Sequence, residues 1–326
     1  MASASLLAAA ERLAVLLSAG AAAPLLADPE GSDLEFEPLV EPRPLARRPP
    51  PPEVWAIDGG QALVADARCV QVVVTRTARA RFLGGECVLE DDGELRAWLL
   101  GGGEERVAAA TIGCGVAPDA AVDINLLREC GEWGGAARCI DEAVPGALVL
   151  VDGDLRPDYR VPFEHVARLL DRAAERDVTV AAVTKHSSLA LGGAPLLGHL
   201  ELAAAATLGE RALWWAPVAR LRPSSGLDVR VVAARLDADA RFAFRVDLPG
   251  SLDPESVLGG MVALCDDAAF PGYPYPLAVA DRLAACPSWL RQDARLDLDD
   301  HLDLAGVPLE VRERAFADRH KLMERS

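Results

Sequence analysis

Two short apolar segments of this sequence each end in an aspartate that is followed by glycine. Residues 54–57 read VWAI and lead into Asp58 and Gly59; residues 147–151 read ALVLV and lead into Asp152 and Gly153. Apolar runs of this length predict buried strands, and a carboxylate at the last position of a strand emerges at the edge of the sheet. Glycine beside it lets another group come close. Two such edges side by side would hold a divalent metal ion.

The chemistry of such a pair is metal-assisted attack on a phosphate ester. Aspartate oxygens are hard ligands that suit magnesium or manganese, and two carboxylates that share an ion are a common arrangement for this reaction. The alternative is that each aspartate merely begins a turn after its strand, which is the commoner reason for Asp-Gly. The two segments alone leave both interpretations open.

Composition limits how the protein can meet nucleic acid. The chain has 326 residues, of which 51% are hydrophobic, so it can bury a large core. Its net charge of −17 argues against a surface coated with basic side chains for duplex DNA, because neutralising phosphates requires clustered Lys and Arg. Basic residues cluster only modestly, at 76–81 and 220–222. Any contact with nucleic acid must therefore be a local groove.

The cysteines and the apolar segments predict a soluble cytoplasmic protein. Seven cysteines are scattered without a C-x-x-C pair, which favours reduced core residues over zinc ligands or disulfides. The apolar segment 13–27 lacks the basic start of a secretory signal and fits an amphipathic helix better. No run reaches the ~18 apolar residues of a membrane span.

Three regions are predicted along the chain. Residues 1–27 read as a helix, and the proline run 49–52 forms a stiff spacer, so that 1–52 is an N-terminal helix with a linker. The compact domain spans 53–290, and 291–326 is a charged, helical tail with a helix over 309–323.

Within the compact domain, strands and helices alternate. Antiparallel strands follow Asp58, and a long helix over 118–142 is softened at Gly131 and at Gly134-Gly135. Later elements are helices at 163–176, 196–208 and 254–268, strands at 178–184, 229–236 and 241–246, and a helix after Tyr273. Alternation of this kind favours parallel strands with crossover helices. By analogy, the layout is an α/β, ribonuclease H-like mixed sheet flanked by helices.

Six short motifs resemble the NurA nuclease family and occur in that family's order between about residues 53 and 285. They are Ala56-Ile57-Asp58-Gly59, Gly131-Glu132-Trp133, Leu150-Val151-Asp152-Gly153-Asp154-Leu155, Val183-Thr184-Lys185-His186-Ser187, Phe244-Arg245-Val246-Asp247 and Gly272-Tyr273-Pro274-Tyr275-Pro276-Leu277. The resemblance implies a 5′–3′ DNA nuclease, possessing exonuclease and in some cases endonuclease activity, that uses Mn²⁺ or Mg²⁺. It further implies a homodimer that processes DNA ends in double-strand break repair with a HerA-like hexameric ATPase.

The resemblance makes Asp58 and Asp152 metal ligands. Glu132 lies on the long helix, 20 residues before Asp152, where a third carboxylate would reach the same ion; Glu129, one turn away, is its rival. Asp154 adds an outer oxygen or caps a turn.

Lys185 and Tyr273 are the predicted substrate-binding residues. Lys185 follows an apolar strand, so its ammonium should reach the same edge and offset charge on the scissile phosphate; the alternative is an ordinary surface lysine. Tyr273 would hydrogen-bond a phosphate or stack on an unpaired base, or else pack a proline-rich turn.

The sequence departs from the family pattern at Asp281. After the Tyr-Pro-Tyr-Pro-Leu turn the family usually has Ala-His, whereas this chain has Ala280-Asp281. An aspartate still ligates a hard cation but titrates several pH units lower than histidine, so the ligand set becomes all carboxylate or the site is weakened; His186 is a possible substitute for the histidine.

Two other functions stay open on the sequence. Asp281 and the charge of −17 motivate a catalytically degraded subunit that binds or regulates an ATPase. An actin-like ATPase would share the Asp-Gly-Gly edge, although a second glycine-rich loop is missing.

Overall fold

The computed structural model describes residues 4–18, 26–27, 33–223 and 226–317. The helices are α1 (Ala4–Ser18), α2 (Glu105–Thr111), α3 (Ile124–Glu142), α4 (Phe163–Glu175), α5 (Leu196–Leu208), α6 (Pro254–Met261), α7 (Tyr275–Ala284), α8 (Ser288–Leu304) and α9 (Leu309–Ala315). The strands are β1 (Leu26–Ala27), β2 (Leu34–Phe36), β3 (Arg43–Pro44), β4 (Glu53–Asp66), β5 (Val70–Leu83), β6 (Glu86–Asp91), β7 (Arg96–Gly101), β8 (Leu148–Asp152), β9 (Thr179–Thr184), β10 (Ala190–Leu191), β11 (Ala194–Pro195), β12 (Trp214–Leu221), β13 (Val229–Arg235) and β14 (Phe244–Pro249).

One mixed sheet of 11 strands organises the described chain. Its order is β2-β12-β13-β14-β9-β8-β4-β5-β6, with β3 also on β12 and β7 also on β5. The central strands β4, β8 and β9 are parallel, whereas the strands on both sides of them are antiparallel. A small sheet of β10 between β1 and β11 lies apart. The fold is the predicted ribonuclease H-like mixed sheet with flanking helices.

The side chains of β4 alternate between two hydrophobic cores. Trp55 and Ile57 pack with the buried faces of α3 and α4, while Val54 and Ala56 pack with those of α6 and α7. Because successive residues of a strand point to opposite faces, Asp58 belongs to the α7 side. The same pattern in β8 places Leu148 and Leu150, and hence Asp152, on that side.

The predicted end of the first strand at Asp58 is wrong. Strand β4 continues to Asp66 and forms a long antiparallel pair with β5. Gly59 and Gly60 therefore do not make a turn. Gly60 lies against the carbonyl of Ala284 at the end of α7, where a Cβ atom would overlap the backbone.

Helix α3 is shorter and more regular than predicted. It begins after Asp123, whose carboxylate accepts the backbone N–H of Leu126 at 2.9 Å, and it is continuous to Glu142. The expected softening at its glycines is wrong because these glycines serve close packing. A Cβ on Gly131 would lie 2.6 Å from Thr77 Oγ1 on β5, so α3 can sit directly on the sheet.

Most of the other predicted elements lie close to their observed bounds, although the strand predicted over 241–246 is observed as Phe244–Pro249. Helix α2 and strands β7 and β12 were not predicted. The helix predicted over 1–27 is observed as Ala4–Ser18, whereas Leu26–Ala27 form strand β1, and residues 1–3 and 19–25 lie outside the described part. Strands β2 and β3 precede residue 53 and pair with β12, and α8 crosses the boundary placed at 290. The helix predicted over 254–268 ends at Leu264 after a 3-10 turn at Val262–Leu264, and the one over 309–323 is observed to Ala315, with 318–323 outside the described residues. None of the described helices is both long and apolar enough to span a bilayer.

Candidate metal centre

Three aspartates from three elements converge at one edge of the central sheet. Asp58 on β4, Asp152 at the end of β8 and Asp281 on α7 offer carboxylate oxygens that all lie within 4.8 Å of one another. Asp58 is buried, whereas the side chain of Asp281 remains 55% exposed. The site is therefore open to solvent on the side of α7.

The register of the parallel strands places the first two carboxylates side by side. Ile57 pairs with Val151, so Asp58 and Asp152 follow at the same level of the sheet. Strand β8 ends there, and Gly153 turns the chain away with φ +107°, a conformation that favours glycine. A turn does follow Asp152, as the turn interpretation predicts. No turn follows Asp58, because strand β4 continues beyond it.

The surroundings of Asp58 disfavour its negatively charged form. Burial, and then the charge of Asp152, raise the pKa of Asp58 from 3.8 to about 7, although the N–H of Gly59 donates to its carboxylate at 2.7 Å. Clustered carboxylates with raised pKa values are stabilised by a bound cation. The donor set consists only of hard carboxylate oxygens, which fits Mg²⁺ or Mn²⁺.

Lys185 is the cation nearest to the three aspartates among the described residues. Its ammonium lies 2.9 Å from Asp152 Oδ2 and 2.6 Å from Asp281 Oδ1. Burial lowers the pKa of Lys185, but the two carboxylates outweigh that effect and raise it above its ordinary value. Lys185 is thus charged and partly exposed at the site, as its predicted role requires.

Tyr273 contacts the candidate metal centre through Asp152. Its hydroxyl donates to Asp152 Oδ1 at 3.3 Å, and its ring packs on Phe244 with centroids 5.5 Å apart. The Lys185 ammonium lies 5.2 Å from the ring centre. Burial and the charge of Asp152 raise the pKa of Tyr273. Because the ring is only 6% exposed, stacking on a base is not open to Tyr273, and its contacts indicate that it positions Asp152.

Glu132 approaches the site from the opposite face of the sheet. It lies on α3 and pairs with Arg128, and the absence of a side chain at Gly59 makes room for its carboxylate. Burial raises the pKa of Glu132 to about 8, although the charge of Arg128 lowers it. Its oxygens are not among the three mutually close ligand atoms in the described chain, so its role as a metal ligand stays a prediction.

Glu129, the alternative to Glu132 as a third carboxylate, is engaged in other hydrogen bonds. Its Oε1 accepts the indole N–H of Trp133 at 3.1 Å and the backbone N–H of Asp158 at 2.8 Å. Asp154 likewise accepts the backbone N–H of Arg156 at 3.0 Å, as a turn cap does. These contacts favour structural roles for both residues.

Sequence reasoning gave no role to a buried ion pair that holds the loop after β8. Arg245 and Asp247 on β14 are joined by two hydrogen bonds of 2.8 Å. Asp247 also accepts the backbone N–H of Leu155 at 3.1 Å. Both residues belong to one of the motifs that resemble the NurA family. The motif therefore identified the position of the ion pair, but not its role in holding the loop.

Two grooves meet at Lys185. One, of about 770 Å³, lies beside Tyr273 and Asp281 and is walled by phenylalanines. The other, of about 660 Å³, runs past Asp152 toward Glu132 and also contains His186. His186 is not part of the close group of three carboxylates. The three carboxylates thus have an open groove on either side.

Solved structures with the same architecture are NurA nucleases. The NurA nuclease from Sulfolobus solfataricus aligns over 92% of this chain and 95% of its own, with 14% identity and a TM-score of 0.58. A second NurA crystal structure aligns over 84% of this chain and 93% of its own, with 8% identity and a TM-score of 0.51. No protein-family model and no curated protein matches the sequence. This chain therefore has the fold of the NurA nucleases.

Proposed function

We propose that this protein is a metal-dependent nuclease that hydrolyses phosphodiester bonds in DNA. The observation that carries the proposal is the group of three carboxylates, with oxygens within 4.8 Å of one another, at the edge of the central parallel strands. The fold shared with NurA nucleases supports it. The local grooves beside the site suit a chain whose net charge of −17 disfavours a broad DNA-binding surface.

Asp58, Asp152 and Asp281 would hold one or two ions of Mn²⁺ or Mg²⁺. A bound ion of this kind makes water a stronger nucleophile and neutralises charge on the phosphate. Asp281 stands where the resembling family usually has histidine, so the ligand set of this chain is all carboxylate. Such a set suits hard cations, magnesium included.

The other side chains of the site position these carboxylates and the substrate. Lys185 places a positive charge between Asp152 and Asp281, where it offsets the charge of an incoming phosphate. Tyr273 holds Asp152 through its hydroxyl. Glu132, whose pKa is raised by burial, lies near the site and would become a further ligand on cation binding.

The cellular setting follows the family resemblance. The protein would be a cytoplasmic homodimer that processes DNA ends in double-strand break repair together with a HerA-like hexameric ATPase. Helix α1 supports a partner surface because it exposes large apolar side chains, among them Leu6 and Val15, which are 62% and 66% exposed. Deleting residues 1–18 should then weaken binding to such an ATPase without loss of the folded sheet.

The test is digestion of end-labelled single- and double-stranded DNA, with and without the ATPase. We expect cleavage in Mn²⁺ or Mg²⁺, none in chelator, and none by Asp58→Asn or Asp152→Asn. Asp300→Asn, at an exposed aspartate of α8, is the matched control and should cleave normally. Equal cleavage by Asp58→Asn and the unchanged protein would refute the metal centre.

A catalytically degraded, regulatory subunit is the second candidate. The observation that favours it is the Lys185 ammonium, which pairs with two of the three carboxylates and so neutralises them without a metal. Calorimetric titration with Mn²⁺ separates the candidates. An active nuclease binds the ion at the three aspartates, so its binding heat should disappear in Asp58→Asn. A degraded subunit should give the same titration with and without this substitution.

A further inference from the structure

The groove beside Asp281 is walled by aromatic side chains. We call it the aromatic groove; it is lined by Arg241, Phe242, Phe244, Phe270 and Pro271 and reaches Lys185 and Asp281. Its volume is about 770 Å³, within the range of pockets that take small organic ligands. It therefore joins the candidate metal centre directly.

Two phenylalanines of this groove are unusually open to solvent. The side chains of Phe242 and Phe270 are 66% and 60% exposed. A single exposed apolar residue is ordinary, but these two come from separate segments, before β14 and before α7, and line one groove. Phe244, behind them, packs on Tyr273, which hydrogen-bonds Asp152. The groove and the metal centre thus share one set of supporting contacts.

We propose that the aromatic groove takes an unpaired nucleobase of the DNA strand whose phosphate lies at the three aspartates. This inference rests on the proposed nuclease function and adds a subsite to it. Every base presents a flat π face, which stacks on phenyl rings with little regard to sequence. Arg241 also lines the groove, and a guanidinium can stack on the base or pair with the neighbouring phosphate.

The base must be unpaired to enter. Inside a duplex both faces of a base are covered by its neighbours, and taking it out costs stacking and pairing energy. The position of Lys185 between the groove and the metal centre links the bound base to the phosphate of the same strand. DNA ends with unpaired nucleotides should therefore bind better than blunt ends.

The test is the affinity of the full chain for fluorescently labelled oligonucleotides, measured by anisotropy with calcium present to neutralise the carboxylates. The probes are a single strand, the same strand with abasic positions, and a blunt hairpin duplex. We expect Phe242→Ala with Phe270→Ala to weaken single-strand binding about 5- to 150-fold, the range for loss of one stacked base. The abasic strand should bind the unchanged protein as weakly as the normal strand binds this double variant.

Two further variants separate stacking from general damage. Trp289→Ala removes an aromatic ring that is 59% exposed on α8, outside the groove, and should leave affinity unchanged. Phe242→Trp with Phe270→Trp should restore binding, because any aromatic ring stacks.

Each other outcome counts against a defined part of the argument. If the unchanged protein cleaves DNA while the double alanine variant binds and cleaves equally well, the base subsite is wrong and the nuclease function stands. If the double variant instead changes from dimer to monomer in sedimentation without losing affinity, the groove is an interface between copies and the inference is again wrong. If the unchanged protein neither binds nor cleaves DNA, the proposed function fails and the subsite with it.

Discussion

The ammonium of Lys185 lies 2.6 Å from the carboxylate of Asp281, although the two residues are 96 positions apart in the chain. The same ammonium lies 2.9 Å from Asp152. Lys185 therefore ties the end of β9 to the end of β8 and to α7 at the place where a metal ion would bind. A positive charge in this position competes with a metal ion for the carboxylates, but it offsets the negative charge of a bound phosphate.

Replacing Lys185 should consequently change metal binding and catalysis in opposite directions. In Lys185→Met the three aspartates lose their neutralising partner, so Mn²⁺ should bind several-fold more tightly in calorimetric titration. Cleavage at saturating metal should fall by about 100-fold, the usual loss when one group that stabilises transition-state charge is removed. Lys185→Arg serves as the control and should retain most of both properties. Unchanged cleavage in Lys185→Met would show that the ammonium does not act on the substrate.

The raised pKa of Asp58 predicts how the stability of the metal-free protein depends on pH. The pKa is about 7 in the folded chain against an ordinary value of 3.8. Between these values the folded state binds a proton that the unfolded state has lost, so the free energy of unfolding falls as pH rises from about 4 to about 7. At about 1.4 kcal/mol per pKa unit, the loss amounts to a few kcal/mol.

Asp58→Asn should remove this dependence. In chelator at pH 8 we expect the variant to melt at a higher temperature than the unchanged protein, whereas near pH 4 the two should melt alike. Adding Mn²⁺ at pH 8 should stabilise only the protein that keeps Asp58, since a ligand that binds the folded state alone raises its stability. Equal melting temperatures at pH 8 in chelator would contradict the pKa of Asp58.

The sequence was sufficient to identify the two strands that carry Asp58 and Asp152, but not the order of the sheet or the faces on which side chains meet. The apolar runs before Asp58 and Asp152 predict two buried strands, and the structure shows that they are parallel neighbours. Glu132 is different. Whether a helical carboxylate meets a given face depends on how the helix is rotated on the sheet, which is set here by the contact of Gly131 with Thr77.

The glycines were the main source of error for the same reason. A glycine in a strand or helix pattern indicates either a turn or a close approach of two backbones, and the choice depends on elements far away in the sequence. Gly60 faces Ala284 and Gly131 faces Thr77, both of which are tertiary contacts. Local sequence therefore favoured a turn and a softened helix, whereas packing required neither.

Adding a methyl group at the two adjacent glycines of β4 should have unequal effects. A Cβ on Gly60 would overlap the backbone carbonyl of Ala284, while one on Gly59 would meet the side chains of Glu132 and Arg128. Gly60→Ala should therefore cost more than the 1–3 kcal/mol typical of overpacking, and Gly59→Ala should fall within about that range.

A double variant tests this explanation. Glu132→Ala removes the carboxylate that Gly59→Ala would meet, so the loss of stability in the double variant should be smaller than the sum of the two single losses. Denaturant unfolding gives the three values. Additive losses would show that Glu132 does not lie over Gly59.

The departure from the family pattern at Asp281 gives the most specific prediction about the metal. Asp281 contributes one of three close carboxylates, so Asp281→Ala should weaken Mn²⁺ binding by about tenfold or more. Asp281→His should restore Mn²⁺ binding with a different pH profile, because imidazole binds a metal only when neutral and titrates near about pH 6.5. It should also lower the affinity for Mg²⁺ relative to Mn²⁺, since imidazole favours the later transition metals.

Titrations with both ions at about pH 6 and 8, together with cleavage assays, decide the role of this position. Asp281→Asn keeps the size of the side chain and one ligand oxygen, and it should lie between the unchanged protein and Asp281→Ala. Unchanged metal affinity and rate in Asp281→Ala would place Asp281 outside the metal centre. If the unchanged protein is inactive and Asp281→His gains nuclease activity, the chain is a degraded nuclease whose lost histidine accounts for its inactivity, and the regulatory candidate replaces the enzyme.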